Sequence, residues 1–587
     1  MSARGNDKGD GQFDLIVVGA GAGGMTAAVT AAHQGLKVVL CEATAQVGGT
    51  TATSAGTLWL PGNQHGRRAG YSDTPEDGER YLQAISGPDC EFERRRAFLE
   101  SSNEAIAFLE RRTALAFATC GEHPDYIEAP GAAIHGRALA PIEFDGRMLG
   151  DDFARVRAPL DDFLVLGGMM ANKSDVQALV RRYRSWKAFA HTARLVARYA
   201  RDRLHYRRGT RLVLGNALVG RLLYSLRAAN VEVRFETRLV GLDKDDTGHV
   251  RGATFESQGQ RYSLRAKAGV VLATGGIGHH AGLRAGLDPA AFESLTPAAV
   301  RGEGIALARE AGAELVRHPS DFLWQPVSRV PTPRGHRLFP HLYLDRAKPG
   351  LLAVDGAGRR FVNEGASYHH FVAAMVERAA SLPVYLICDA MFIRQYGLGV
   401  IPPGTQRLRR YERSGYLITA ATPEALARRL GIDAQALAST IARHNGYAQS
   451  GHDTEFGKGD TPVSRFNGDA AHHPNPCLGP IATAPYCALA IWPSDAASSS
   501  GLRTDADGRV FGAGECVVEG LYACGNDMAS IMHGSYPGPG ATLGPAIVFG
   551  WRVASHAAAA LRAREHEIHA RRAHEAPPAP PDQIPAR

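Results

Sequence analysis

The chain has 587 residues, of which 44% are hydrophobic and 21% charged, with a formal net charge of +7 at pH 7. This length exceeds what one hydrophobic core usually supports, so at least two domains are expected, and the composition is that of a globular protein. No stretch reaches the roughly 18 consecutive apolar residues of a transmembrane helix, which excludes a helical membrane span.

Residues 1–12 are polar, lack the apolar core of a secretory signal, and are expected to be a disordered lead. Phe13 to Val18 (FDLIVV) is a short apolar run, as expected of a parallel strand buried on both faces. Gly19-x-Gly21-x-x-Gly24 follows, then a helical stretch of small residues, then a second strand, Lys37 to Leu40, with Glu42 at its end. Gly19 permits a tight turn, Gly21 lets the backbone approach a pyrophosphate, and Gly24 lets helix and strand pack closely. The helix N-terminus offers free N–H groups and its positive dipole end to phosphates. Glu42, 18 residues beyond Gly24, stands where an acid accepts hydrogen bonds from a ribose. That acid argues against NADP and leaves NAD and FAD open.

A helical, Arg-rich insertion is expected over about 64–210, with its basic excess in FERRR, VRRYRSWK and YARDRLHYRRGTR. A solvated helix face is the plain reading of these charges, and a face touching anionic lipid or an acidic partner is the alternative. No aromatics are interleaved in a nucleic-acid module, so no nucleic-acid partner is expected. Val231 to Leu242 reads as a strand that returns the chain to the first fold, making residues 13–297 the first part of the nucleotide-binding domain. A second domain is expected over 298–485, and a closing strand and last helix over 486–562 rejoin the first. Residues 563–587 are Arg-, Ala- and Pro-rich and read as a disordered tail. The eight cysteines include no C-x-x-C, which fits reduced thiols in a cytoplasmic setting. The pairs His279–His280, His369–His370 and His472–His473 lack partners at ligand spacing, so no metal site is expected.

VGGTTATSAG (Val47 to Gly56) places glycines and hydroxyls directly after Glu42. It resembles the FAD-binding loop of the fumarate reductase and succinate dehydrogenase flavoprotein superfamily, and AGVVLATGGIG (Ala268 to Gly278), RGEGIALAREAGA (Arg301 to Ala313) and EGLYACGND (Glu519 to Asp527) agree with it. The resemblance implies FAD as cofactor, held by Gly19, Gly21, Gly24, Glu42, Gly49, Thr50, Thr51, Ser54, Gly56, Ala273, Thr274, Gly275, Gly525, Asn526 and Leu543. The fold class expected is α/β: a discontinuous Rossmann-like FAD-binding domain with a helical insertion, and a second α+β catalytic domain.

Within that superfamily HPDYIEAPG (His123 to Gly131), GRRFVNEGASYHHF (Gly358 to Phe371), NPCLGPI (Asn475 to Ile481) and HGSYPGPGATLGPAIVFG (His533 to Gly550) look like the bacterial 3-ketosteroid dehydrogenases. The resemblance spans about residues 13–560 and implies 1,2-desaturation of a 3-ketosteroid, a lipophilic substrate, with an external electron acceptor. It assigns Tyr536 and the Gly540 amide to the ketone, Tyr368 to proton abstraction, and Tyr126 to its support. The chemistry is coherent on its own terms. Two donors on a ketone oxygen stabilise a developing enolate as an oxyanion hole does. Tyrosine's ordinary pKa is about 10, so Tyr368 needs Tyr126 or a cation to favour its phenolate. A helix is expected to begin near Gly540, its positive end toward the flavin. SDAASSSGLRTD (Ser494 to Asp505) departs from the family's glycine- and threonine-rich pattern, which puts flavin contacts there in question. A 4,5-desaturating sister enzyme, a dicarboxylate oxidoreductase of the fumarate reductase kind, and a flavin-binding module without turnover remain open. The second of these requires an arginine that HGSYPGPG lacks.

Overall fold

The computed structural model describes residues 11–87, 91–183, 185–285, 292–342, 345–379 and 381–575. Cys90, most of the N-terminal lead and residues 576–587 of the tail lie outside them.

The first strand, β1 (Gln12–Val18), leads through the glycine turn into α1 (Ala22–His33) and then β2 (Val38–Cys41). The insertion follows and contributes α2 (Pro75–Ser86), α3 (Phe92–Arg112), α4 (Lys173–Arg181), α5 (Trp186–Asp202) and α6 (Leu214–Ala228), together with several short strands. The chain then returns as β3 (Glu232–Arg234), β4 (Arg238–Lys244), β5 (Val250–Ser257) and β6 (Gln260–Leu272). These pair in the order β3-β2-β1-β6-β5-β4. The four strands β3, β2, β1 and β6 are parallel, with Val17 opposite both Leu40 and Val271. The side chains of β1 and β2 are mostly buried, as the apolar run FDLIVV requires. The single strand expected over Val231 to Leu242 is instead two, interrupted at Phe235–Thr237 where Glu236 adopts a left-handed φ of 51°.

A second sheet carries β7 (Phe322–Thr332), β8 (Gly335–Pro340), β9 (Leu351–Val354), then, after α7 (Tyr368–Arg378), β10 (Val384–Asp389) and β11 (Tyr486–Ser498). Its order is β8-β7-β11-β10-β9, all antiparallel. This corrects the expected domain boundary. β11 is the central strand of the second sheet, so the return to the flavin fold begins after Ser498, not at 486. The short strand Glu293–Ser294 also pairs with β11, so the second sheet begins before 298.

The chain closes the first sheet with β12 (Val517–Ala523), parallel to β6, and ends in α8 (Leu543–Glu575). α8 starts three residues after Gly540 and continues through 563–575, which were expected to be disordered. Alanine, arginine and glutamate favour helix whether or not it packs, and Arg571 pairs with Glu567 one turn away. α1 and α8 cross where glycines meet: a Cβ at Gly550 would lie 2.5 Å from the Gly23 carbonyl oxygen. No helix among the described residues is long and apolar enough to cross a membrane.

Candidate active site

The turn after β1, the segment after Glu42, the end of β6 and the start of α8 enclose one elongated cleft. Of the fifteen residues expected to hold FAD, all but Gly24 and Gly56 line it. Those two act from behind. A Cβ at Gly24 would meet the Gly19 carbonyl oxygen at 2.0 Å, so only glycine lets α1 pack on the turn. The residues present fit the cofactor. Gly21 opens onto free space, its nearest neighbour for a Cβ being Thr51 Oγ1 at 4.0 Å. Thr50 Oγ1 is buried without a protein partner, as a hydroxyl meant for a ligand would be. The N-termini of α1 and α8 both open on the cleft, bringing their positive dipole ends to it.

Glu42 plays a further part: its carboxylate accepts from the Ala20 N–H at 3.0 Å and the Thr44 N–H at 2.9 Å, fixing the glycine turn. Asp527 does the same for the turn after β6, accepting from the Thr274 hydroxyl and the Gly276 N–H (2.7 Å). Burial raises the Asp527 pKa against these hydrogen bonds. Sequence reading missed Arg157, which donates to Thr44 Oγ1 and leaves a buried Nε without a partner at the cleft wall. An arginine from a distant insertion has no local signal. Ala496 and Ala497, within the departure SDAASSSGLRTD, also line the cleft.

Tyr536 also lines the cleft. The structure brings the three predicted tyrosines together: the Tyr536 ring centroid is 5.1 Å from Tyr368 and 5.7 Å from Tyr126, and Tyr126 and Tyr368 are 5.5 Å apart. All three are buried. Burial, then the neighbouring Tyr126 and Tyr536, push Tyr368 well above the ordinary tyrosine pKa. The bond between Tyr368 and Tyr536 raises the first and lowers the second, as expected if Tyr368 donates. The hydrogen bond with Tyr126 raises Tyr368 as well. Burial also raises Tyr536, opposed by bonds from Tyr368 and Thr542.

The Tyr536–Gly540 loop is held rigidly. Pro537 O accepts from Tyr126 N and from the Tyr81 hydroxyl, both at 2.8 Å. Buried Asp125 accepts from Trp59 Nε1 (2.8 Å) and Ala133 N (3.0 Å) and pairs with Arg137, which also pairs with Asp73. Burial pushes Asp125 up to about 6 against Arg137 and these donors. Gly540 has φ +91°, and its carbonyl accepts from Trp59 N at 3.2 Å. No backbone carbonyl among the described residues accepts its N–H. His369 ties the loop to β7: its Nδ1 accepts from Trp324 N at 3.1 Å, and burial holds it neutral with a pKa of about 4.

Residues 14–543 match the family described as FAD binding domain. A 4-oxocyclohex-2-ene-1-carboxylate 5-dehydrogenase from Sinomonas cyclohexanicum is 36% identical, the match covering 94% of this chain and 95% of that protein. A 3-oxosteroid 1-dehydrogenase from Mycolicibacterium smegmatis is 33% identical over 94% of this chain and 98% of its own. Among solved structures, the 3-ketosteroid delta1-dehydrogenase from Sterolibacterium denitrificans, in complex with 1,4-androstadiene-3,17-dione, superposes with a TM-score of 0.87 at 33% identity, covering 94% of this chain and all of that one.

Proposed function

The chain belongs to the FAD-dependent 3-ketosteroid dehydrogenase family, and on that premise we propose that it introduces a 1,2-double bond into ring A of a 3-ketosteroid. It is an FAD-dependent oxidoreductase acting on CH–CH groups. The observation that carries the steroid reading is the meeting of three phenols, of which Tyr536 lines the cleft. The Tyr536 hydroxyl and the Gly540 N–H donate to the ketone oxygen and stabilise the negative charge that develops there. Tyr368 takes the proton from the carbon beside the ketone. Because Tyr368 starts neutral, it must give up its own proton as it takes the substrate's: Tyr126, the partner not engaged with the ketone, accepts that proton while releasing its own to solvent water. Bound FAD supplies the two-electron acceptor for the hydride lost from the next carbon. Two C–H bonds break and one carbon–carbon double bond forms.

Product analysis with androst-4-ene-3,17-dione, its 5α-saturated analogue and an artificial electron acceptor tests the reading. The expected product is the 1,2-unsaturated ketone; a 4,5-unsaturated product from the saturated analogue indicates the sister activity. Tyr536→Phe is expected to abolish turnover with FAD retained, and unimpaired turnover of every such ketone would sink the proposal.

A second reading is favoured by the 36% identical relative: the same clamp serves a monocyclic 4-oxo acid. Assaying 4-oxocyclohex-2-ene-1-carboxylate beside the steroids separates the two by kcat/KM.

We also propose contact with anionic membrane, where a lipophilic ketone partitions. Trp186 and Leu204 are 78% and 77% exposed on the insertion, Trp186 stacks on exposed Phe189, and Arg181, Lys187, Arg194, Arg201 and Arg203 are exposed beside them. Salt-sensitive co-sedimentation with phosphatidylglycerol vesicles is expected, and equal binding to neutral vesicles, or none, retires the idea. A cytoplasmic location suits the seven free cysteines of the described residues.

A further inference from the structure

Glu91, His318 and His533 are far apart in sequence and meet beside the Tyr536 loop. One ligand atom from each lies within 4.8 Å of the others, and the two imidazole centroids are 4.6 Å apart. His318 is fully buried, yet its Nε2 has no good hydrogen bond: the nearest acceptor is Glu91 Oε1 at 3.5 Å. His533 Nδ1 is likewise buried without a partner. Two buried imidazole nitrogens without a good hydrogen bond thus lie together beside a carboxylate, an arrangement that a bound cation would satisfy.

We propose that these three residues bind a Zn²⁺ ion through His318 Nε2, His533 Nδ1 and Glu91 Oε1, and that the ion positions the Tyr536 loop. Two imidazoles and one carboxylate form a ligand set that zinc takes, with a fourth position left for water. The outer partners such a site needs are present. His318 Nδ1 lies 2.9 Å from Ser499 Oγ, which also accepts from Gly534 N at 2.9 Å, so the ring is fixed with Nε2 facing inward. Glu91 Oε2 accepts from Arg94 Nε at 2.7 Å, and Arg94 is anchored on the Ala529 carbonyl at 2.7 Å, leaving Oε1 toward the site. Glu91 and His533 also occupy left-handed backbone, at φ 59° and 49°, conformations non-glycine residues hold only when the surroundings fix them. Arg94 and Arg95 are the opposing charges, and they make the site one of moderate affinity that a strong chelator empties. His533 stands three residues before Tyr536, so the ion's effect reaches the reaction through loop position.

The test uses the full-length flavoprotein, stripped with a chelator and titrated with zinc chloride, read by competition with a zinc-sensitive dye and by thermal melting. One equivalent per chain and a rise of several degrees in Tm are expected, with both lost in His318→Gln and His533→Gln while the flavin spectrum is unchanged. No binding, or binding that survives both substitutions, overturns the site. Zinc-edge absorption spectroscopy on the unsubstituted protein decides even if the variants fail to fold. Imidazole scattering in an all nitrogen and oxygen shell supports the assignment, and a sulfur ligand refutes it.

Discussion

Replacing Gly540 by alanine tests the ketone clamp at its backbone member. A Cβ there would lie 2.3 Å from the Thr57 carbonyl oxygen and 2.6 Å from its carbon, whereas ordinary contact begins at 3.4 Å. The backbone must therefore yield by about 1 Å, and both contact atoms belong to main chain that cannot rotate away. The left-handed φ of +91° adds about 1–2 kcal/mol of strain for an L-residue. An oxyanion donor misplaced by ~1 Å costs on the order of 10²-fold in rate, and losing it costs ~10²–10³-fold, or about 2.7–4 kcal/mol. Gly540→Ala is thus expected to slow anaerobic flavin bleaching by a 3-ketosteroid about 10²–10³-fold, with FAD still bound. Gly35→Ala is the control. It has a similar φ of +92° and nothing within 4 Å of the added carbon, so it carries the strain without the clash and leaves the rate unchanged. A Gly540→Ala protein that folds, binds FAD and bleaches within a few-fold of the unsubstituted rate would refute the amide's role.

Asp125→Ala leaves Arg137 short of one of its two buried carboxylates and is expected to cost about 3–5 kcal/mol in denaturant melts, with kcat/KM falling because the Tyr126–Pro537 contact loosens; unchanged stability contradicts this. Thr50→Val removes a buried hydroxyl that only a ligand can satisfy, and is expected to weaken FAD binding by roughly 1 kcal/mol, or about fivefold, in dialysis against free FAD. His369 and His444 are buried and kept neutral, mainly by burial, with pKa values of about 4. The unfolded chain takes up these protons near 6.5, so stability is full above that pH and declines as pH falls to 4, by about 3 kcal/mol per histidine. Equilibrium unfolding that is flat between pH 7 and 4 speaks against it, and His444→Gln should remove its share of the slope.

The nucleotide-binding unit was legible because each of its parts has a local signature: an apolar strand, glycines at turn spacing, and an acid after the second strand. The meeting of Tyr126, Tyr368 and Tyr536 was legible only through motif resemblance, since no periodicity relates positions 126, 368 and 536. Assignment of β11 went wrong for a physical reason. YCALAIWPSDAAS is buried on both faces, and such a run shows that it is a strand without showing which sheet it joins. The tail was misread because poor apolar content argues against packing, not against helix. The Glu91, His318 and His533 grouping had no sequence signal, as its members come from three separate segments and adopt unusual backbone at two of them.

The glycine crossing of α1 and α8 has a consequence for biosynthesis. Residues of α1 and residues of α8, more than five hundred positions later, line the same cleft, with Gly550 seated against Gly23. A nascent chain on the ribosome can form β1 and its turn early, but it has only half a vise until residue 550 has emerged. Flavin capture is then expected late in maturation, and a polypeptide cut short before α8 is expected to leave that cleft open to water.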